Sequence, residues 1–236
     1  MAKMIGLARP LKTEWMDKTA DLVLEGKSTE DIKAELNGYL SFEIESPTSL
    51  RKTRDSLINL WALRSDEFTN VRESALSLYP KLKSDKLPLH WCLLLLKYPV
   101  FSDICALIGK ITNIEESFTT AWMREKLYES WGERTSLDVP VKNILRSLVD
   151  FGTLEKAKVG VYKTKERSIG DEKVIRLLII TLLKLKKKPY YEISEFSRVP
   201  LFFPFKYDVT LEWLHSTPEI TIGTFGGKMV VSAKEI

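Results

Sequence analysis

The chain has 236 residues, 44% hydrophobic and 10% aromatic, a composition that supports a buried core and excludes a disordered protein. Its formal net charge of +4 permits a nucleic-acid partner without demanding one, so the placement of charge matters more than its sum. Two cysteines, Cys92 and Cys105, each inside an apolar helical pattern, speak against a disulfide scaffold and for buried thiols in a reducing compartment.

Met1 to Leu11 has broken apolar residues and no small-residue cleavage site, so no leader peptide is expected. Leu93 to Leu96 is short and Ile175 to Leu185 is interrupted by Arg176 and Lys184, well below the roughly 18 apolar residues of a membrane span. A cytoplasmic protein without a membrane partner is the expectation.

Glu14 to Glu25 places Trp15, Thr19, Leu22 and Val23 on one helical face and stops at Gly26. Ser28 caps a second helix, Thr29 to Leu36, with Asp31 at the capping-box position and an end near Asn37 and Gly38. Ser46 and Pro47 open a third, Thr48 to Leu63, with Leu50, Leu57, Ile58 and Trp61 inward and Arg51, Lys52, Arg54 and Asn59 outward. These three read either as a helix-turn-helix or as a plain packing unit with solvated charges. Glu67 to Tyr79 is a further helix closed by Pro80, and the charged loop Lys81 to Lys86 is a candidate boundary.

Pro88 starts a helix to Tyr98 that is apolar nearly all round and therefore central, broken by Pro99. Val100 to Ile111 and Ser117 to Trp131 follow as helices, the first with Phe101, Ile104, Cys105 and Ile108 in register, the second with Met123, Leu127 and Trp131. Asp138, a candidate N-cap, and Pro140 open the helix that ends at Gly152. Val141, Ile144, Leu145, Leu148 and Val149 form its apolar face, opposite Lys142, Asn143, Arg146, Ser147 and Asp150. Leu154, Val159, Val161 and Tyr162 around Gly160 then read as a two-stranded ribbon. Ribbon and following loop carry Lys156, Lys158, Lys163, Lys165 and Arg167 against Glu155 and Glu166. A helix with a polar outer face leading into a basic hairpin is the recognition end of a winged helix-turn-helix; an ordinary amphipathic helix and hairpin is the alternative.

Ser168 to Gly170 is a candidate hinge, and Asp171 caps a helix to about Leu185 that ends in Lys184, Lys186, Lys187 and Lys188. That cluster suits the helix dipole and is also a candidate phosphate contact. Phe202, Phe203 and Phe205 read as core fillers or interface anchors, Asp208 to His215 as a short helix, and Glu219 to Ala233 as a β-hairpin about Gly226-Gly227.

His90 and His215 lie on unrelated segments with no zinc spacing, and no Ser-His-Asp arrangement presents itself. Gly223 to Lys228 is followed by a strand and not by the helix a phosphate loop needs. No enzyme and no cofactor are expected.

The ordered series WMDKTADLVLEGKSTEDIKAEL, LPLHWCLLLLKYPVFSDICALIGKI, LYESWGERTSLDVPVKNIL and RSLVDFGTLE resembles the BrxA family of BREX phage-defence systems over roughly Glu14 to Glu155. The resemblance implies a compact, mostly helical, non-catalytic accessory protein that binds DNA, with a fold likened to NusB-type RNA-binding factors. It does not extend to Asp171 to Ile236, which is longer than the family core.

The expected fold is mainly α: a helical N-terminal domain (1–85), a winged helix-turn-helix domain (86–168), and a C-terminal helical segment ending in a β-hairpin (169–236) that could be a second winged helix. The expected function is double-stranded DNA binding as a defence accessory, with Lys142, Asn143, Arg146 and Ser147 toward the major groove and Lys156, Lys158 and Lys163 on phosphates. Arg51, Lys52 and Arg54 are secondary DNA candidates. A protein adaptor docking a larger defence enzyme and a NusB-like RNA-binding factor are the alternatives.

Overall fold

A computed structural model describes residues 6–63, 66–83, 85–133 and 135–234. Residues 1–5, on which the reading of the N-terminus partly rests, Ser84 of the expected boundary loop, and residues 235–236 lie outside it. The fold is mainly α, as the periodicity predicts.

Four helices come first: α1 (Thr13–Leu24), α2 (Thr29–Ser41), α3 (Pro47–Trp61) and α4 (Thr69–Leu78). The Ser28 hydroxyl accepts the Asp31 N–H at 3.1 Å and the Ser46 hydroxyl accepts the Ser49 N–H at 3.4 Å, so α2 and α3 start where cap chemistry places them. α2 does not stop at Gly38. It continues a further turn because Leu40 is completely buried, and that burial outweighs the small helical penalty of one glycine.

The helix α5 (Leu87–Lys97) is the centre, with every side chain from Leu87 to Leu96 buried. Pro99 ends it and starts α6 (Pro99–Ile111), the two axes meeting at 117°. Among the described residues no single helix is long and apolar enough to cross a membrane. Then come β1 (Phe118–Thr119), α7 (Thr120–Trp131), α8 (Asp138–Asp150), β2 (Leu154–Lys158) and β3 (Val161–Thr164). The three strands form an antiparallel sheet in the order β1-β3-β2. Gly152 at φ 68° closes α8, its N–H on the Val149 carbonyl and the Thr153 N–H on the Leu148 carbonyl.

The expected hinge at Ser168 is instead a strand: β4 (Arg167–Ser168) pairs in parallel with β6 (Phe205–Lys206). Between them lie α9 (Glu172–Lys184), capped by Asp171, and β5 (Tyr191–Glu192). The chain ends in α10 (Leu211–His215), β7 (Ile220–Phe225) and β8 (Lys228–Ala233), with sheet order β5-β8-β7.

Side chains from all three expected domains belong to one contiguous core. α5 packs against α3, α4, α6 and α9, so helices from different expected domains share its surface. The C-terminal segment is locked on from two sides. The Trp91 indole N–H donates to the Leu201 carbonyl at 2.9 Å, and Gly109 of α6 meets the Pro200 backbone so closely that a Cβ there would lie 2.2 Å from its oxygen. Trp91 packs edge-on against Phe101, Phe203 and Phe205, which places those C-terminal aromatics in the core.

The polar atoms of α5 are satisfied inside this core. Trp61 donates its indole N–H to His90 Nδ1 at 3.1 Å, so Nδ1 is the ring's acceptor and its N–H is on Nε2, which faces Asp17 Oδ1 at 3.1 Å. Tyr79 donates its hydroxyl to the same oxygen at 2.6 Å, and Lys86 sits 3.8 Å over the Tyr79 ring. Burial opposes ionisation of Asp17, but the hydrogen bonds from His90 and Tyr79 prevail and hold its carboxyl below the ordinary range. Cys92 and Cys105 are completely buried, and burial pushes the Cys92 thiol up to about 12, so neither is a reactive thiol.

A second buried constraint joins α3 to α4. Arg72 donates Nε to the Leu60 carbonyl at 2.9 Å and one Nη to the Leu63 carbonyl at 2.7 Å, closing the end of α3, and clamps Asp66 with contacts of 3.2 and 2.9 Å. Arg72→Ala leaves those carbonyls unpaired and Asp66 with only the Phe68 N–H at 3.0 Å and Lys97 at 3.6 Å, and is expected to cost about 3 kcal/mol in a urea titration. The Asp17 shift has a definite sign: its stabilisation is complete above the unfolded carboxyl value and is lost as pH falls through the lower folded value. Asp17→Asn should therefore flatten the acid limb of a stability–pH curve below about pH 4 and leave its shape near neutrality unchanged.

Candidate nucleic-acid interface

α8 buries Val141, Ile144, Leu145 and Leu148 against α6 and α7, as its periodicity predicts. Asp138 is not its N-cap. It is the first helical residue, and its carboxylate accepts from the Tyr128 hydroxyl at 2.7 Å and from an Arg124 Nη at 3.0 Å, with Arg124 Nε a further ion-pair contact at 2.7 Å, pinning the start of α8 to α7. The neighbouring cap is Thr119, whose hydroxyl accepts the Trp122 N–H at 3.1 Å and starts α7.

The outer face of α8 is narrower than its sequence suggests, because the segment before α1 lies along it. A Cβ on Gly6 would fall 2.8 Å from Pro140, Leu7 offers its carbonyl to Asn143 Nδ2 at 3.0 Å, and the Leu11 N–H donates to Ser147 Oγ at 2.8 Å. Pro140, Asn143 and Ser147 are helical neighbours at spacings of three and four, so one flank of α8 is covered. Ser147 is completely buried and Asn143 half-buried, and the expectation that both face a groove is corrected. A serine within a helix that bonds back to the carbonyl four residues earlier, as Ser147 does to Asn143 at 3.0 Å, is the one local sign that this flank is engaged.

What remains outward on α8 is Val139, Lys142, Arg146 and Asp150. Lys142 and Arg146 are exposed and have no acidic partner among the described residues. The hairpin adds Lys156 and Lys158, both exposed on β2 and also without an acidic partner there, with the fully exposed Val159 at the turn beside Gly160 at φ 72°. Lys163 stands on the inner strand of the sheet with its ammonium 3.4 Å from Glu116. Lys165 meets Glu155 at 3.2 Å, and Arg167 meets Asp85 at 2.7 Å while donating to the Phe151 carbonyl. Arg167 is thus a brace between the end of α8 and the start of α5 and not a free wing cation.

On α3 the three candidates separate. Arg54 lies against Asp55 at 2.7 Å and donates to Asn37 Oδ1 at 3.1 Å, a fold-back that corrects its expected outward placement. Arg51 is exposed and 3.7 Å from Asp55, and Lys52 is exposed. At the end of α9, Lys187 meets Asp103 at 2.9 Å and Lys188 pairs with Glu195, on the rim of a cleft of about 650 Å³ floored by Ala106, Leu182 and Leu201.

Among the described residues no group of three or more His, Cys, Asp or Glu side chains is placed to hold a metal ion. Both ring nitrogens of His90 are engaged by Trp61 and Asp17, so the buried dyad has no free nitrogen for proton transfer. Compared with family models, with curated proteins and with solved structures, the chain finds no match.

Ser147→Ala separates a structural from a recognition role at this position. It leaves the buried Leu11 N–H unpaired and should cost ~1–3 kcal/mol of stability. Affinity for duplex DNA, measured well below the melting temperature, should be unchanged.

Proposed function

We propose that this protein binds double-stranded DNA without chemistry of its own, α8 acting as a recognition helix and the β2–β3 hairpin as a wing beside it. The reading carries with it an accessory role in a phage-defence locus of the BREX kind, which rests on the resemblance alone. The observation that supports DNA binding most is the placement of unpaired cations. Lys142 and Arg146 on α8, with Lys156 and Lys158 on the strand it leads into, are exposed and have no acidic partner among the described residues. The other cations singled out nearby are engaged. The element order α6-β1-α7-α8-β2-β3 with strand order β1-β3-β2 supports a winged-helix reading, in which the second helix of the turn presents side chains to base edges and the wing holds phosphates.

The mechanism follows from geometry and charge. The exposed stripe of α8 is one residue wide, with Lys142 and Arg146 one turn apart, so the helix offers few base-reading groups. A guanidinium at Arg146 can hold a guanine edge bidentately, whereas the lysines act as point charges on phosphates. Affinity is therefore expected to be dominated by backbone contacts and to depend strongly on salt.

Duplex DNA, single strand and RNA compared by fluorescence anisotropy at varied salt test the reading. Arg146→Ala should cost roughly 1–3 kcal/mol on a preferred duplex site with little change in stability. Lys158→Ala should weaken all duplexes alike and lower the salt slope by about one unit. An intact Lys142→Ala, Arg146→Ala, Lys158→Ala triple variant with unchanged duplex affinity would overturn the mechanism and favour a protein-docking role. Tighter binding to RNA than to duplex DNA would favour the RNA-binding alternative.

A further inference from the structure

The C-terminal sheet ends in an open edge. β7 pairs with β8 alone, in unbroken register from Ile220 opposite Ala233 to Phe225 opposite Lys228. The two are joined by Gly226 and Gly227, both at positive φ (57° and 78°), a two-residue turn whose flanking pair is hydrogen-bonded. Bonded pairs alternate along an antiparallel ladder, so Phe225, Gly223 and Thr221 direct their backbone groups to β8. The Lys234 N–H on the Glu219 carbonyl at 2.9 Å continues that alternation.

It follows that Ile222 and Thr224 direct both N–H and C=O away from the sheet, with no hydrogen bond to them among the described residues. At Ile220 the N–H is taken by the Thr217 carbonyl, at 3.4 Å. Natural sheet edges are blunted by charge, proline or a bulge, and β7 has none: its sequence is ITIGTF and its register is continuous. Phe225 is 62% exposed at its end.

We propose that β7 pairs antiparallel with β7 of a second copy of this chain, about a two-fold axis through Ile222. A two-fold axis between edge strands must be perpendicular to the sheet, so it keeps each face on its own side and pairs only residues of the same face. The outward-bonding residues must also meet one another. The register centred on Ile222 satisfies both conditions: Ile222 opposes itself, Ile220 opposes Thr224 of the second copy, and Thr221 opposes Gly223.

Charge complementarity favours a second copy over an unrelated strand. Glu219 has no ion-pair partner among the described residues and falls opposite the second copy's Phe225, on the face that also carries Lys228. That Lys228, held by Glu192 at 2.9 and 3.0 Å within its own chain, lies one strand further on, about 10 Å away across two strand spacings, where its exposed ammonium can be shared between the two carboxylates. The symmetry provides this contact twice. A pair of six-residue strands buries less than the ~1,200 Å² of a permanent interface, so the dimer is a concentration-dependent one.

Sedimentation velocity of the full chain over a range of concentration tests the pairing. The expected result is a monomer–dimer equilibrium that Thr224→Pro weakens about ten-fold or more, because proline removes an outward N–H and leaves the bonds to β8 intact. Thr224→Lys, which keeps every backbone donor and adds an edge charge, should weaken it likewise and serves if the proline variant does not fold. The register has its own readout. A Thr221→Cys, Gly223→Cys double variant should form a disulfide-linked dimer on mild oxidation while each single variant does not, and a Cβ at Gly223 meets nothing within 4 Å. A wild-type chain that stays monomeric up to about 1 mM, edge variants that dimerise like wild type, or single-cysteine variants that cross-link as readily as the double would each overturn the proposal.

Discussion

The structure depends on a helix with no outside. A helix apolar all round can exist in water only if other elements cover every face of it, and α5 has ten consecutive buried residues, from Leu87 to Leu96. Roughly 1.5–3 kcal/mol attends the burial of each large apolar side chain, so exposing any one face of α5 would consume most of a domain's net stability. The cover is drawn from the whole chain: α3 and α4 from the N-terminal part, α6 from the middle, α9 and the segment around Leu201 from the end. Residues 1–85, 86–168 and 169–236 read as separate domains in the sequence, but α5 gives them a common interior.

The same burial explains the polar chemistry of the core. A helix that brings His90 and Trp91 inside must find partners for three ring N–H or nitrogen positions, and Trp61, Asp17 and Leu201 supply them. Asp17 reaches in from α1, so the first and fifth helices are joined by a hydrogen-bonded carboxylate as well as by apolar contact. A charge so placed would be costly alone; with His90 and Tyr79 donating to it, the ionised form is the favoured one.

Local rules account for much of what was legible in the sequence. Ser28, Ser46 and Asp171 announce their helices through side-chain oxygens that cap the next turn, and Gly152, Gly160 and Gly226-Gly227 sit where the backbone takes positive φ. The central position of α5 follows from its unbroken apolar run. What was not legible depends on residues far apart in the chain. The two-residue strand β1 exists because β3 lies beside it, and β4 because β6, some 38 residues later, runs parallel to it. Likewise Ser147 and Asn143 read as outward until the segment from Gly6 to Leu11 occupies that flank, a contact separated by 136 residues. Helical periodicity states which positions share a face; it does not state whether a distant part of the chain covers that face.

This last distinction bears directly on the candidate interface. Counted on the sequence, the middle of the chain presents a broad basic surface; counted on the structure, much of that charge is answered locally. Arg167 braces α8 against Asp85, and Arg54 folds onto Asp55 and Asn37. The contact of Lys163 with Glu116 is of a different kind, a surface pair worth ~0–1 kcal/mol that a phosphate could displace. Removing Arg167 from its brace would free a cation only by uncovering a carboxylate and the Phe151 carbonyl, a loss that a phosphate contact has to exceed. On α8 and its hairpin, the cations able to meet an anion without breaking anything are therefore Lys142, Arg146, Lys156 and Lys158, with Lys163 available at small cost. A helix and the hairpin it leads into thus carry four free cations on a rigid support, in a chain whose net charge is only +4.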